Sequence, residues 1–136
     1  REYSAMNINA KDLLRLFMLS LACYREARGE TQRGKRLVAQ VIENRVTDPR
    51  WPDTYVGVIT QPSQLSAFNQ DDPNALTFPA EDDPAWAASV AAAQEVLTAV
   101  EPFTEANHYC VVGLSPAWAR EDKIVAREGR HVFYRL

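Results

Sequence analysis

Tyr24-Arg25-Glu26-Ala27-Arg28-Gly29-Glu30 is the stretch on which the reading of this chain turns, because charge there replaces a long apolar run and a glycine follows almost at once. Upstream, residues 13–22 are nearly all apolar: Leu13, Leu14, Leu16, Phe17, Met18, Leu19, Leu21 and Ala22. A helix that is hydrophobic all round is a buried one, so the pattern predicts a central helix enclosed by the rest of the domain. Asn9 or Asp12 would cap its start, and Gly29 would end it in a left-handed turn. An acid emerging from such a helix is partly desolvated, and desolvation raises a carboxylic acid's pKa so that it holds a proton near neutrality. Glu26 is then a candidate proton donor to a leaving group. The plainer alternative makes Glu26 and Arg28 solvated residues of a fraying end, with Arg28 satisfying the last carbonyls.

Outward from that junction, Thr31 would cap a second helix running to about residue 46, with Leu37, Val38, Val41, Ile42 and Val46 at helical spacing. Asp48-Pro49 and Trp51-Pro52 stop it, and Asp53 would cap a short helix over 54–60. Residues 61–83 hold three prolines, several Asp and Asn residues and few apolar positions, a long irregular segment of the kind that often forms the wall of a cleft. Pro84 suits the first turn of a helix reaching about residue 100, with Trp86, Val90, Ala93 and Leu97 on one face. The texture then changes to short stretches rich in strand formers at 108–112, 123–126 and 131–134. Helices first and short strands late read as one α+β domain over 1–136, mainly helical with a small late antiparallel sheet.

A chain of 136 residues is long enough to bury about two-thirds of its unfolded surface in one core without metal or disulfide. Its net charge of −3 gives no electrostatic case for nucleic acid, and no apolar run is long enough for membrane insertion. Cys23 and Cys110 fit neither a redox pair nor a zinc-ligand pair by spacing, and two thiols are expected in preference to one disulfide.

Several patches in order resemble the SleB/CwlJ-type cell-wall hydrolase family, known for spore-cortex-lytic enzymes and phage relatives. Residues 22–30 resemble its Glu-Ala-Arg-Gly-Glu signature, and Gly34, Val38-Ala39 and Val41-Ile42-Glu43-Asn44-Arg45-Val46 its following helix. Trp51-Pro52-Asp53-Thr54, Val56-Gly57-Val58 and Gln64-Leu65-Ser66 resemble the next segments. Ala106-Asn107-His108-Tyr109, Pro116-Ala117-Trp118 and Gly129-Arg130-His131-Val132-Phe133-Tyr134-Arg135 resemble the closing ones. The chain departs from the family at Leu65, where Phe is usual, and at Glu105 and Asn107, where Gly and Thr are usual.

The resemblance implies a lysozyme-like, lytic-transglycosylase-like domain acting without a cofactor on the glycan strands of peptidoglycan, between N-acetylmuramic acid and N-acetylglucosamine, with Glu26 as the acid. Glu30 reads as a residue at the start of the second helix, stabilised by that helix's dipole. With one carboxylate obviously placed, the substrate's own C6 hydroxyl would serve as nucleophile and leave a 1,6-anhydro end. A hydrolase would need a second acid such as Glu30, Asp71, Asp72 or Glu105 at carboxyl reach. Gln64, Ser66, Asn107 and Tyr109 are candidates for hydrogen bonds to sugar, and Trp51, Phe68 or Trp118 for stacking. Core packing is the simpler fate of an aromatic ring, Trp51 and Trp86 above all. His131 and Tyr134 complete the substrate-binding set, with His131 able to orient the surroundings of the acid.

Two other classes compete. A zinc amidase or peptidase would use His108, His131 and a carboxylate or Cys110, although no HExxH-like pair is present and a site without metal is expected. A glycan-binding module would use the aromatics without an acid. The enzyme is expected to be a monomer acting in the wall or periplasm, whether secreted, spore-associated or phage-delivered.

Overall fold

The computed structural model describes residues 9–61 and 78–136. Among them, α1 (Ala10–Ala27), α2 (Gln32–Val46), α3 (Tyr55–Ile59) and α4 (Pro84–Thr98) precede β1 (His108–Val111), β2 (Ile124–Glu128) and β3 (His131–Tyr134). The strands form one antiparallel sheet of order β1-β3-β2, so the α+β expectation holds, late sheet included.

Local chemistry explains most boundaries. The side chain of Asn9 accepts from the Asp12 amide, Thr31 from Gly34, and Asp83 from Ala85 ahead of a proline in the first turn of α4. Thr54, not Asp53, caps α3, its hydroxyl accepting from the Gly57 amide at 3.0 Å. Gly29 does not take the left-handed conformation expected of it. Arg28 stays right-handed, the Glu30 amide donates to the Ala27 carbonyl at 3.0 Å, and α2 starts at once. The left-handed glycines are Gly113 and Gly129, both in the sheet region.

The all-round burial expected for the first helix is also corrected. Leu13, Leu14 and Phe17 are about half exposed, and full burial begins only at Leu19. In the first turns of α1, which run beside the ends of α2 and α4, only Leu16 and Met18 touch the core. Phe17 instead lies edge-on to Trp86 at 6.3 Å, and Tyr24 meets the same indole further along.

The core has two parts that share α2 as a wall. Ala39 and Ile42 face Leu19, Ala22 and Cys23 of α1, Tyr55, Val58 and Ile59 of α3, and Ala92, Ala93 and Val96 of α4. Leu37, Val38 and Val41 instead seat the sheet, through Ala106 and the fully buried Phe133, together with Ala27 at the end of α1. Burying a side chain of Phe133's size stabilises by roughly 1.5–3 kcal/mol, so this contact is a main attachment of the sheet. Tyr109 of β1 packs against both parts. The seam between helices and sheet therefore passes beside the last turn of α1.

Candidate active site

Glu26 stands in that last turn, half-buried, with Cys23 one turn back and Ala27 next to it, one residue in each part of the core. The phenol of Tyr109 meets the same surface. Burial pushes its pKa well above the ordinary tyrosine value, the Glu26 carboxylate and Cys23 add to the rise, and Arg45 opposes it. A tyrosine so placed stays neutral and is a hydrogen-bond donor beside the acid.

Side chains alternate along strands, so Tyr109 shares its face of the sheet with His131 and Phe133. Its ring lies 5.1 Å from the His131 imidazole, edge-on, and 5.9 Å from Phe133. His131 is 4 % exposed. Burial lowers its pKa, Glu30 pulls the other way and Arg130 adds to the lowering, which leaves a neutral imidazole.

Glu30, read in the sequence as a dipole-stabilised helix start, is a buried anchor. Its side chain is 3 % exposed. Oε1 accepts from the Arg130 backbone amide at 2.8 Å, and Oε2 accepts from Arg130 Nε at 3.2 Å. Burial alone would raise this carboxyl; the Arg130 hydrogen bonds, with His131 and Arg130 nearby, bring it below the usual carboxylate range. Glu128 ties the same turn to the start of α2 by accepting from Thr31 Oγ1 at 2.9 Å and Arg33 Nη1 at 3.0 Å.

The other face of the sheet carries a separate aromatic cluster. His108 lies 5.7 Å from Trp51 and 4.9 Å from Trp118, and Trp118 lies 5.3 Å from Tyr134. Burial, with Arg45 and Arg50 nearby, pushes His108 down to about 4. Asn107 is taken up by the chain itself: Oδ1 accepts from the Leu136 amide and Nδ2 donates to the Leu136 carbonyl, both at 2.9 Å. Of the sugar-binding set named from sequence, Tyr109 adjoins Glu26 with His131 against its ring, while Trp118 and Tyr134 lie across the sheet. Gln64 and Ser66 lie outside the described residues, as do Phe68, Asp71 and Asp72.

This division does not favour the zinc alternative. His108 and Cys110 alternate to one face of the sheet and His131 to the other, and among the described residues no three potential ligands come together. The two cysteines are separate thiols, as expected. Cys23, with its pKa pushed up to about 12 by burial, is inert.

Two functional neighbours escaped the sequence reading. Arg45 is buried at 4 % exposure, donates from Nε to the Asn107 carbonyl at 2.7 Å and sits over the Trp51 ring. Its signal was present: it continues the apolar stripe of Val38, Val41 and Ile42, where a charge must have a partner. Glu30 gave no such signal, because its partners are about a hundred residues away in the chain.

The fold defines the class: a mainly helical domain with a small late antiparallel sheet, the architecture of SleB catalytic domains. The catalytic domain of the Bacillus cereus SleB protein superposes with a TM-score of 0.74 at 26 % identity, over 98 % of this chain and 100 % of that one. That of the germination-specific lytic transglycosylase SleB from Bacillus anthracis gives 0.73 at 26 %, over 97 % and 100 %. The chain belongs to the Cell Wall Hydrolase family, whose model matches residues 29–134. It is 33 % identical over 122 residues to the spore cortex-lytic enzyme of Bacillus subtilis, and 30 % over 119 to that of Halalkalibacterium halodurans. Each alignment covers 85 % of this chain but only 36 % and 33 % of those proteins, so the chain spans about a third of their length.

Proposed function

We propose that this domain cleaves the glycan strand of peptidoglycan between N-acetylmuramic acid and N-acetylglucosamine, with Glu26 as general acid and then general base. Glu26 gives its proton to the glycosidic oxygen as the C1–O bond breaks. The C6 hydroxyl of the muramic residue then closes on C1 and returns its proton to Glu26, leaving a 1,6-anhydro end without consuming water. Tyr109, a neutral donor beside the carboxylate, stabilises Glu26 while it is ionised.

One observation carries this course. Glu30, the nearest other acid in sequence, is ionised, buried and held by Arg130, so it is neither a proton donor nor a base for water. Glu105 is exposed and paired with Arg135. Neither of these two is placed as the second carboxyl that a hydrolase requires. The family assignment and the likeness to a lytic transglycosylase support the same reading.

On this reading Tyr109 borders the sugar site, with the buried His131 packed behind its ring. Trp118, partly exposed and packed edge-on against the buried Tyr134, offers a stacking surface across the sheet, and Asn107 ties the start of that strand to the chain's end. No helix among the described residues is long and apolar enough to cross a membrane. The substrate places the enzyme's action in the cell wall or periplasm, as a monomer that is secreted, spore-associated or phage-delivered.

Digestion of purified sacculi followed by mass spectrometry of the muropeptides tests the proposal. Anhydro ends, lighter than reducing ends by one water, are the expected product, and Glu26→Gln should release none. Reducing ends would replace the transglycosylase course with hydrolysis, and cut peptide stems would overturn the proposal.

A further inference from the structure

The β2–β3 turn is held in an unusual way. Gly129 has φ +55°, a conformation other residues resist, and a Cβ added there would come within 2.6 Å of Glu30 Oε1. The carboxylate of Glu30 thus fills the space a side chain at position 129 would need, and from there it holds the next residue's amide. The backbone carbonyl of Glu30 is itself fixed by the buried ammonium of Lys35. The residue after Arg130 is His131, whose Nδ1 lies 3.5 Å from Glu30 Oε1, and whose ring stands edge-on to Tyr109. A continuous set of contacts therefore runs from the start of α2 through the turn and two rings to the phenol that faces the last turn of α1.

We propose that Glu30 is a positioning residue for the reaction, acting through His131 and Tyr109 to fix the phenol against Glu26. This rests on the reading of Glu26 as the acid. The carboxylate does two things. It sets the backbone from which His131 projects, and its charge stands 3.5 Å from the ring's Nδ1 without a hydrogen bond to it, close enough to bias the ring's orientation. The neutral ring stands edge-on to Tyr109. Without the anion, Arg130 loses its counter-charge and the His131 ring loses its fixed orientation.

Among the described residues, Cys23 and Arg25 share α1 with the acid and Arg28 caps that helix, Glu30 stands at the junction, Cys23 and Arg45 act with Glu26 on Tyr109 of β1, and Arg130 and His131 lie against Glu30. Glu30 is the only other carboxylate among these. Replacing it by a neutral group removes a negative charge and leaves Arg130 uncompensated, and both changes favour ionised Glu26. The alkaline limb of the rate profile must then move to lower pH.

The test compares wild type, Glu30→Gln, Glu30→Asp and Glu26→Gln on the same sacculi. Glu30→Gln should lower kcat by about tenfold with KM within about twofold, and shift the alkaline limb to lower pH. Glu30→Asp, which keeps the charge but not the reach, should restore the limb while kcat stays reduced. A Glu30→Gln enzyme with lower Tm but unchanged kcat and pH profile has lost only a structural anchor, and that outcome overturns the proposal. Should Glu30→Gln fail to fold, Glu30→Asp decides: a lowered kcat with KM and pH profile unchanged is expected, and a wild-type kcat overturns the proposal. Absence of glycan cleavage by the wild type would instead sink the assignment of Glu26.

Discussion

Glu26 and Glu30 are four residues apart and have opposite fates. The first sits half-buried at the end of α1, beside a tyrosine that burial keeps neutral. The second is sealed under a hairpin turn, with both oxygens engaged by Arg130 and its pKa held low. The difference lies in what the sheet brings to each. β1 presents a phenol to Glu26, while the β2–β3 turn presents an amide and a guanidinium to Glu30. A carboxylate that must take and return a proton needs the first environment, and one that must stay ionised to hold a fold needs the second.

Four substitutions break or sharpen that contrast. Glu26→Gln should reduce glycan cleavage by about 10²–10⁴-fold, read from muropeptide release, while leaving the denaturation midpoint close to wild type. An equal loss of stability would mean that this acid, too, is an anchor. Gly129→Ala should act only on the other side of the comparison, destabilising by about 2–4 kcal/mol in urea titration through the left-handed backbone and the collision with Glu30. A smaller loss than about 1 kcal/mol would show that the turn yields easily and that Glu30 grips it weakly.

Tyr109→Phe removes one hydroxyl from the seam and should slow cleavage by about three- to tenfold, the worth of a single hydrogen bond, with the fold intact. No change in rate would detach the phenol from the chemistry. The smallest effect is a slope in stability against pH. The folded-state pKa of His108 is about 4, below its ordinary 6.5, so protons prefer the unfolded chain and stability is fully present only above pH 6.5. It declines as pH falls from 6.5 toward 4, and His108→Gln should flatten that part of the curve. Glu30, also depressed, loses its contribution only further down, as pH falls below its ordinary 4.5 and through its folded value. The acid limb below 4.5 should therefore survive His108→Gln and shrink in Glu30→Gln, with Asp48 and Asp83, also depressed by their hydrogen bonds, keeping the remainder.

Much of this was legible in the chain. The caps at Asn9 and Thr31, Pro84 in the first turn of its helix, and the third strand at 131–134 follow from local chemistry that a short window contains, and they stand where the residues put them. The errors came where a neighbour distant in sequence decided. Leu13, Leu14 and Phe17 look as apolar as Leu19, but in those turns only Leu16 and Met18 are turned to the core. Gly29 has the composition of a helix-ending glycine, yet the immediate start of α2 draws the junction into a tight right-handed turn. The aromatic and polar residues from 107 to 134 read as one sugar-binding set. Strand alternation then sends Tyr109 and His131 to one side and His108, Trp118 and Tyr134 to the other.

The order and chemistry of the segments were settled by the sequence alone: an apolar helix ending in an acid, a second helix at once, and three short strands at the end. Helix periodicity, capping and strand preference are properties of near neighbours, so a linear reading reaches them. Which of two acids faces a phenol and which is clamped by an arginine a hundred residues away was decided only by the tertiary structure. Burial, hydrogen bonding and local charge fix the state of a carboxylate, and none of these exists until the sheet closes against the helices.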